Sequence, residues 1–313
     1  MSGPVSTVDA PPTEPAPCAA AAPCVEVTDS RESTVGAMRV KRALPRRARR
    51  TVGPWCFADH MGPEQVTETS GLDIGPHPHT GLHTVTWLMA GEVLHRDSLG
   101  SEQVIRPGEL NLMTAGHGVT HSEEATATYR GHLHGVQLWA AQPDRTRRGD
   151  PAFAHHDAMP QVELDETVLT VLVGAFAGAT SPAHHDWPLV GVDAVLRRGT
   201  STWPLRPEFE HALVVLDGAT AIGNQVVNQG QLAYLGQDRQ ELALAANDPA
   251  RVLLLGGEPF AEPILMWWNF IARTREEITT AYQQWQDADE RFGALASPLP
   301  RIPAPSPPWA GRS

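Results

Sequence analysis

Two short dyads, His77-Pro78-His79 and His121-Ser122-Glu123, bracket a segment rich in Val, Leu and Thr. In an extended strand, residues i and i+2 point to the same face, and at 3.3 Å per residue they lie roughly 6.6 Å apart. Two such dyads on neighbouring strands can converge on one point from opposite walls of a small barrel. The expected metal ligands are therefore His77, His79, His121 and Glu123: three neutral imidazoles and one carboxylate. Such a set suits a divalent Fe, Mn, Ni, Cu or Zn ion, and ligand type alone does not choose among them. Four protein ligands on an octahedral ion leave two positions for a bidentate substrate, or for substrate plus O₂. A closed tetrahedral zinc site has no such opening. Glu123 is also the candidate catalytic base.

The surrounding pattern is β-rich. From Gly75 to Trp139, short apolar runs alternate with turn clusters such as Asp97-Ser98-Leu99-Gly100-Ser101 and Arg106-Pro107-Gly108-Glu109. A second block of strands is expected at Val168 to Phe176, Val190 to Arg197, Ala212 to Leu216, Gln225 to Gly236 and Ala250 to Gly256. Closely spaced antiparallel strands fit barrels or jelly rolls, in which closure removes exposed edges. The fold class is thus all-β, with two barrel domains packed together and one C-terminal helix. The divisions are a disordered head over 1–24, a metal-binding domain over 25–142, a second barrel over 143–262 and a C-terminal segment over 263–313. The second barrel has only the scattered His184, His185 and His211, so no metal is expected there. Thr274-Arg275-Glu276-Glu277 reads as a capping box that opens a helix over about 275–288. A Pro-rich tail after Ser297 reads as loose.

Several further residues have competing readings. In a straight strand His83 falls roughly 13 Å beyond His79, which puts it in the pocket wall or behind the ligands unless a bulge at Thr80-Gly81 draws it in. His117, between two glycines, is placed at the pocket mouth. Asp59-His60 before a Gly-Pro turn reads as structural, and Cys56 as a small buried hydrophobe. Cys18 and Cys24 lack partner histidines, so solvated thiols are expected. Seven basic residues crowd Arg39 to Arg50, either as a patch for an anionic partner or as a solvated strand and loop. The net charge of −12 argues against direct nucleic-acid binding, which needs a basic surface. The longest apolar runs are too short for a membrane span, and the N-terminus lacks the build of a secretory signal. A cytoplasmic protein is expected.

In those segments the chain closely resembles the pirin family of the cupin superfamily. The resemblance rests on Val52-Gly53-Pro54, Asp59-His60-Met61-Gly62-Pro63, His77-Pro78-His79-Thr80-Gly81, His95-Arg96-Asp97-Ser98, Pro107-Gly108-Glu109-Leu110, Met113-Thr114-Ala115-Gly116 and Val119-Thr120-His121-Ser122-Glu123. It covers about residues 35–140 and is looser beyond. It implies a bicupin with metal, usually iron, in the N-terminal barrel, and it carries the family's ligands onto His77, His79, His121 and Glu123. It also implies one of two activities. One is a quercetin 2,3-dioxygenase, taking a flavonol-like substrate and O₂. The other is an iron-dependent, redox-sensitive regulator that binds a transcription factor or enzyme as partner. The family often carries Glu at the position of His83 and Arg at that of His117, so this chain's pocket differs in charge.

Overall fold

The computed structural model describes residues 25–36, 38–67, 72–126 and 128–310; the head over 1–24, with Cys18 and Cys24, lies outside them. The fold is the expected pair of β-barrels, each built from a large and a small sheet. In the first barrel the large sheet runs Ala152–His156, Leu110–Thr114, Leu82–Ala90, Gly131–Ala141, Trp55–Val66, Met38–Leu44, Arg31–Val35. Its small sheet runs Ile74–His79, Val119–Glu124, Val93–Asp97, Glu102–Ile105. The second barrel repeats the plan around Glu210–Asp217, Ala250–Gly257, Leu189–Leu196 and Thr167–Phe176, closed by a sheet of Gly199–Pro204, Glu241–Ala246, Ala219–Ile222 and Gln225–Asn228. The single strand expected over Gln225 to Gly236 is two, because Gly230 turns the chain at φ +80°. Gly199–Pro204 and Glu241–Ala246 escape a sequence reading because their outward positions are exposed and polar or small.

The halves also exchange strands. Glu26–Asp29 pairs with Gln231–Gly236 of the second barrel, whereas Ala152–His156 pairs with Leu110–Thr114 of the first.

The helix spans Arg275–Gln286, and the Thr274 hydroxyl accepts from the Glu277 amide at its N-terminus. Its buried face, Ile278, Ala281 and Trp285, packs with Trp267, Phe270, Phe292 and Ala304. The tail after Ser297 is not loose. The Ile302 amide donates to Pro76 O, the Trp285 indole to Ile302 O, and the Trp267 indole to Pro305 O, all within 2.9–3.0 Å. The Arg301 guanidinium lies 3.3 Å above the Trp285 ring. Proline pre-sets an extended backbone at low entropic cost, so a few aromatic anchors suffice to seat the tail. It runs so close to the His77 strand that a Cβ on Gly75 would collide with the Pro300 carbonyl.

Strands between the barrels are buried on both faces. On Gly131–Ala141, Val136, Leu138 and Ala140 join a core with Leu172, Val214, Leu253 and Leu255 of the second barrel. Alternate residues Gln137 and Trp139 face inward. Trp55, fully buried, donates its indole N–H to Val190 O and Gly256 O, both at 3.1 Å, and Trp87 donates to Asp193 Oδ2 at 3.0 Å. The variant Trp55→Phe removes that donor from two buried carbonyls. It is expected to lower stability by about 1–3 kcal/mol, read as a fall in the urea midpoint with an unchanged slope.

Candidate metal centre

The two ligand strands are hydrogen-bonded neighbours. Val119 pairs with His79, Thr120 with Pro78 and His121 with His77; the register then shifts, so that Glu123 pairs with Ile74. Residues directly opposite in an antiparallel pair project to the same face, which brings the imidazoles of His77, His79 and His121 together inside the barrel. Their ligand nitrogens all lie within 4.8 Å of one another, close to the span one ion covers with bonds of about 2 Å. Ring centroids are 4.3 Å apart for His77 and His121, 4.9 Å for His79 and His121, and 5.2 Å for His77 and His79.

The donor set fits a metal on two further grounds. His77 Nδ1 lies 2.9 Å from Gly75 O. A carbonyl only accepts, so Nδ1 carries the proton and Nε2 presents a lone pair. His79 Nδ1 and His121 Nε2 are buried and have no hydrogen-bond partner within the protein, a costly condition that an ion relieves. Burial also drives the His77 pKa down to about 4, and those of His79 and His121 well below the ordinary 6.5. All three are therefore neutral near pH 7, the protonation state a metal requires.

Glu123 lines the same cavity, but its carboxylate stands outside the mutual 4.8 Å span of the three histidines. The Thr86 hydroxyl is 3.4 Å from its Oε1 and 2.8 Å from Gln137 Oε1. Burial raises the Glu123 pKa to about 7. The cavity, open at its mouth, is walled also by Val40, Phe57, Met61, Ile74, Trp139, the Arg42-paired Asp59 and, from the C-terminal segment, Trp268, Asn269 and Ile302.

The remaining histidines go elsewhere. His83 is buried, but its Nε2 meets Asp186 Oδ2 of the second half at 2.9 Å and its Nδ1 meets Thr114 Oγ1 at 3.0 Å. Gln142, Thr146 and His184 also bond Asp186, so His83 ties the halves together instead of forming the metal pocket. His117 sits in a separate groove beside the helix, its Nδ1 on Gly149 O at 3.0 Å and its carbonyl on Arg291. His60 faces away from the cavity, 2.7 Å from His134. Cys56 is buried, and burial pushes its thiol pKa up to about 12, as suits an inert core residue. The basic run is dispersed: Arg42 is fully buried on Asp59, Arg39 reaches Glu64, and Arg49 pairs with Glu26 while covering Tyr234. His95 was not foreseen as a site residue. It stands 3.5 Å from His121, Nδ1 to Nδ1; its i, i+2 spacing to Asp97 was the available signal.

Residues 37–140 match the family model described as Pirin, and residues 191–293 match the Pirin C-terminal cupin domain. A Pseudomonas aeruginosa protein named "Putative quercetin 2,3-dioxygenase" is 46% identical over 276 residues, 88% of this chain and 87% of its own length. A Caulobacter vibrioides "Pirin-like protein" is 37% identical, over 83% of this chain and 92% of its own. The crystal structure of an Acinetobacter baumannii protein titled quercetin 2,3-dioxygenase superposes with a TM-score of 0.88 at 43% identity, over 91% of this chain and 96% of that one. Among the described residues, no helix is long and apolar enough to cross a membrane.

Two outcomes follow from the site's geometry and charge. His121→Ala removes an inward nitrogen and is expected to weaken metal binding by more than about 10-fold, since even residues behind a ligand contribute 10–100-fold; competition against a chelator measures it. In the metal-free protein, the three histidines bind protons more readily unfolded than folded between about pH 4 and 6.5. Glu123, with its raised pKa, acts in the opposite sense between 4.5 and about 7. Three groups outweigh one, so stability falls as pH drops from 6.5 toward 4. Thermal unfolding of metal-free protein at pH 7 and pH 5 gives the lower midpoint at pH 5.

Proposed function

We propose, from the premise that the chain belongs to the pirin family, that its N-terminal barrel is an iron(II)-dependent dioxygenase centre. Its substrate is a quercetin-like flavonol or another small enolisable molecule. The observation that carries the reading is the buried trio His77, His79 and His121, with two unpartnered inward nitrogens, opening onto a mostly apolar cavity beside a carboxyl group. The printed names of the Pseudomonas aeruginosa relative and the Acinetobacter baumannii structure support it.

Iron(II) held by these residues supplies the one-electron chemistry with O₂ that no side chain here provides. The protein's own part is to bind, orient and deprotonate. Glu123, whose carboxyl lines the cavity beside the three histidines, is placed to remove an enol proton from a substrate. Gln137 and Asn269 place polar groups in the cavity wall. Phe57, Trp139 and Trp268 offer flat apolar faces and keep water away from the reacting atoms.

The test is anaerobic loading with Fe(II), then measurement of O₂ uptake with quercetin and a panel of catechols and enediols. Uptake matched to substrate consumption is expected. Fully loaded protein that takes up no O₂ with any of them would sink the proposal. Glu123→Gln should reduce the rate by about 10²–10⁴-fold, the usual contribution of a positioned base.

A further inference from the structure

Behind the ligand His121 lies a line of polar groups with no role in the ligand set itself. His95 Nδ1 is 3.5 Å from His121 Nδ1, and His95 Nε2 is 3.2 Å from Asp97 Oδ2. The other oxygen, Asp97 Oδ1, accepts the backbone amides of Leu99 at 2.9 Å and Ser101 at 3.0 Å. All three side chains are buried: His95 is 4% exposed, Asp97 2% and His121 1%. Strand pairing sets them in line, with Asp97 opposite His121 and His95 opposite Glu123. Phe153 stacks on the His95 ring at 4.4 Å and 13°, holding its plane.

From these contacts we infer that Asp97 and His95 are positioning residues that select the metal-binding tautomer of His121. The inference rests on the metal-centre reading above. A carboxylate only accepts, so His95 Nε2 must carry a proton. In neutral His95, Nδ1 is then an acceptor, and His121 must donate to it from its own Nδ1. That leaves the lone pair of His121 on Nε2, the buried atom that lacks any partner in the protein. Each link is fixed by the one before, and the chain starts at two backbone amides that hold one oxygen of Asp97. His77 reaches the same end in one step, through the Gly75 carbonyl. A histidine ligand's outer nitrogen commonly needs such a partner to fix tautomer and ring orientation.

The arrangement makes an unusual prediction for the isosteric variant Asp97→Asn. The amides of Leu99 and Ser101 keep the side-chain oxygen, so the new NH₂ must face His95 Nε2 and donate to it. His95 then carries its proton on Nδ1, His121 accepts there, and its proton moves to Nε2, blocking the metal. Replacing a carboxylate behind a histidine by an amide acts in this way elsewhere, leaving the geometry intact with the wrong tautomer.

The experiment uses full-length protein labelled with ¹⁵N at histidine. In the metal-free parent, His121 should show a protonated, pyrrole-type Nδ1 and a pyridine-type Nε2; in Asp97→Asn the two should exchange. Co(II) affinity, by chelator competition, should fall about 10–100-fold in Asp97→Asn, with the thermal midpoint of the metal-free form unchanged. A parent in which His121 carries its proton on Nε2 overturns the inference, because His95 would then be doubly protonated. So does an Asp97→Asn protein that binds Co(II) as tightly as the parent. The tautomer measurement needs no metal and no turnover, so a failure of the dioxygenase reading and a failure of this inference are separable.

Discussion

The hydrogen-bonded register between Ile74–His79 and Val119–Glu124 is the constraint on which the metal centre rests. With His121 opposite His77 and Val119 opposite His79, three imidazoles share one face. Because side chains alternate with a period of two, a slip of one residue would turn all of one strand's ligands outward. The register is held from several sides. Val93–Asp97 pairs along the far edge of the His121 strand, the tail binds the Pro76 carbonyl, and both ligand strands are buried along their whole length. The shift between His121 and Glu123 adds one local change of direction, and it coincides with the carboxylate standing apart from the three nitrogens.

The large sheet of the first barrel serves two purposes with opposite faces. Val136, Leu138 and Val85 press on the second barrel, while Gln137 and Trp139 line the metal cavity. The second barrel is packed differently. Leu169, Val192, Trp203, Phe209, Leu213 and Leu254 pack its interior, where the first barrel instead has the three histidines and a cavity. Two copies of one architecture thus divide the work: one forgoes core packing to make a site, and the other supplies a rigid apolar wall behind it. The ion pair of Arg251 with Asp193, itself bound to Trp87, and the Asp186 cluster around His83 lock the halves at two more places.

Most of this division was legible in the sequence, and what was not shares a physical cause. Period-two alternation and turn residues disclose strands, so the two barrels and the inward direction of His77, His79 and His121 could be read locally. His95 shows the same i, i+2 spacing, to Asp97, but its meaning is not local. A single histidine on a strand acquires its role only when pairing sets it beside His121, a contact 26 residues away. His83 lies on a strand whose inner face was legible, but its partner, Asp186, is 103 residues distant. The tail is ordered against its composition, because a proline-rich stretch stays loose only when nothing binds it. Here Trp267, Trp285 and Trp309 supply the anchors, and they lie far apart along the chain. Local pattern fixes which way a side chain points; long-range pairing decides what it meets.

The two sides of the cavity come from distant parts of the chain. The ligand histidines, Glu123 and the groups behind them lie on two paired strands and their neighbour, in a segment that begins at Ile74 and ends at Glu124. The far wall of the cavity is Trp268, Asn269 and Ile302, carried by a turn and a tail anchored to the C-terminal helix. The donor set and the wall that faces it are therefore encoded in separate parts of the chain. The first part is restrained by strand register, where one slip removes the site. The second is held by aromatic packing and by hydrogen bonds such as Ile271 N–H to Thr80 O, with Trp268 and Asn269 themselves buried. Replacements near residues 268 and 302 would thus reshape the cavity wall and leave His77, His79 and His121 in place.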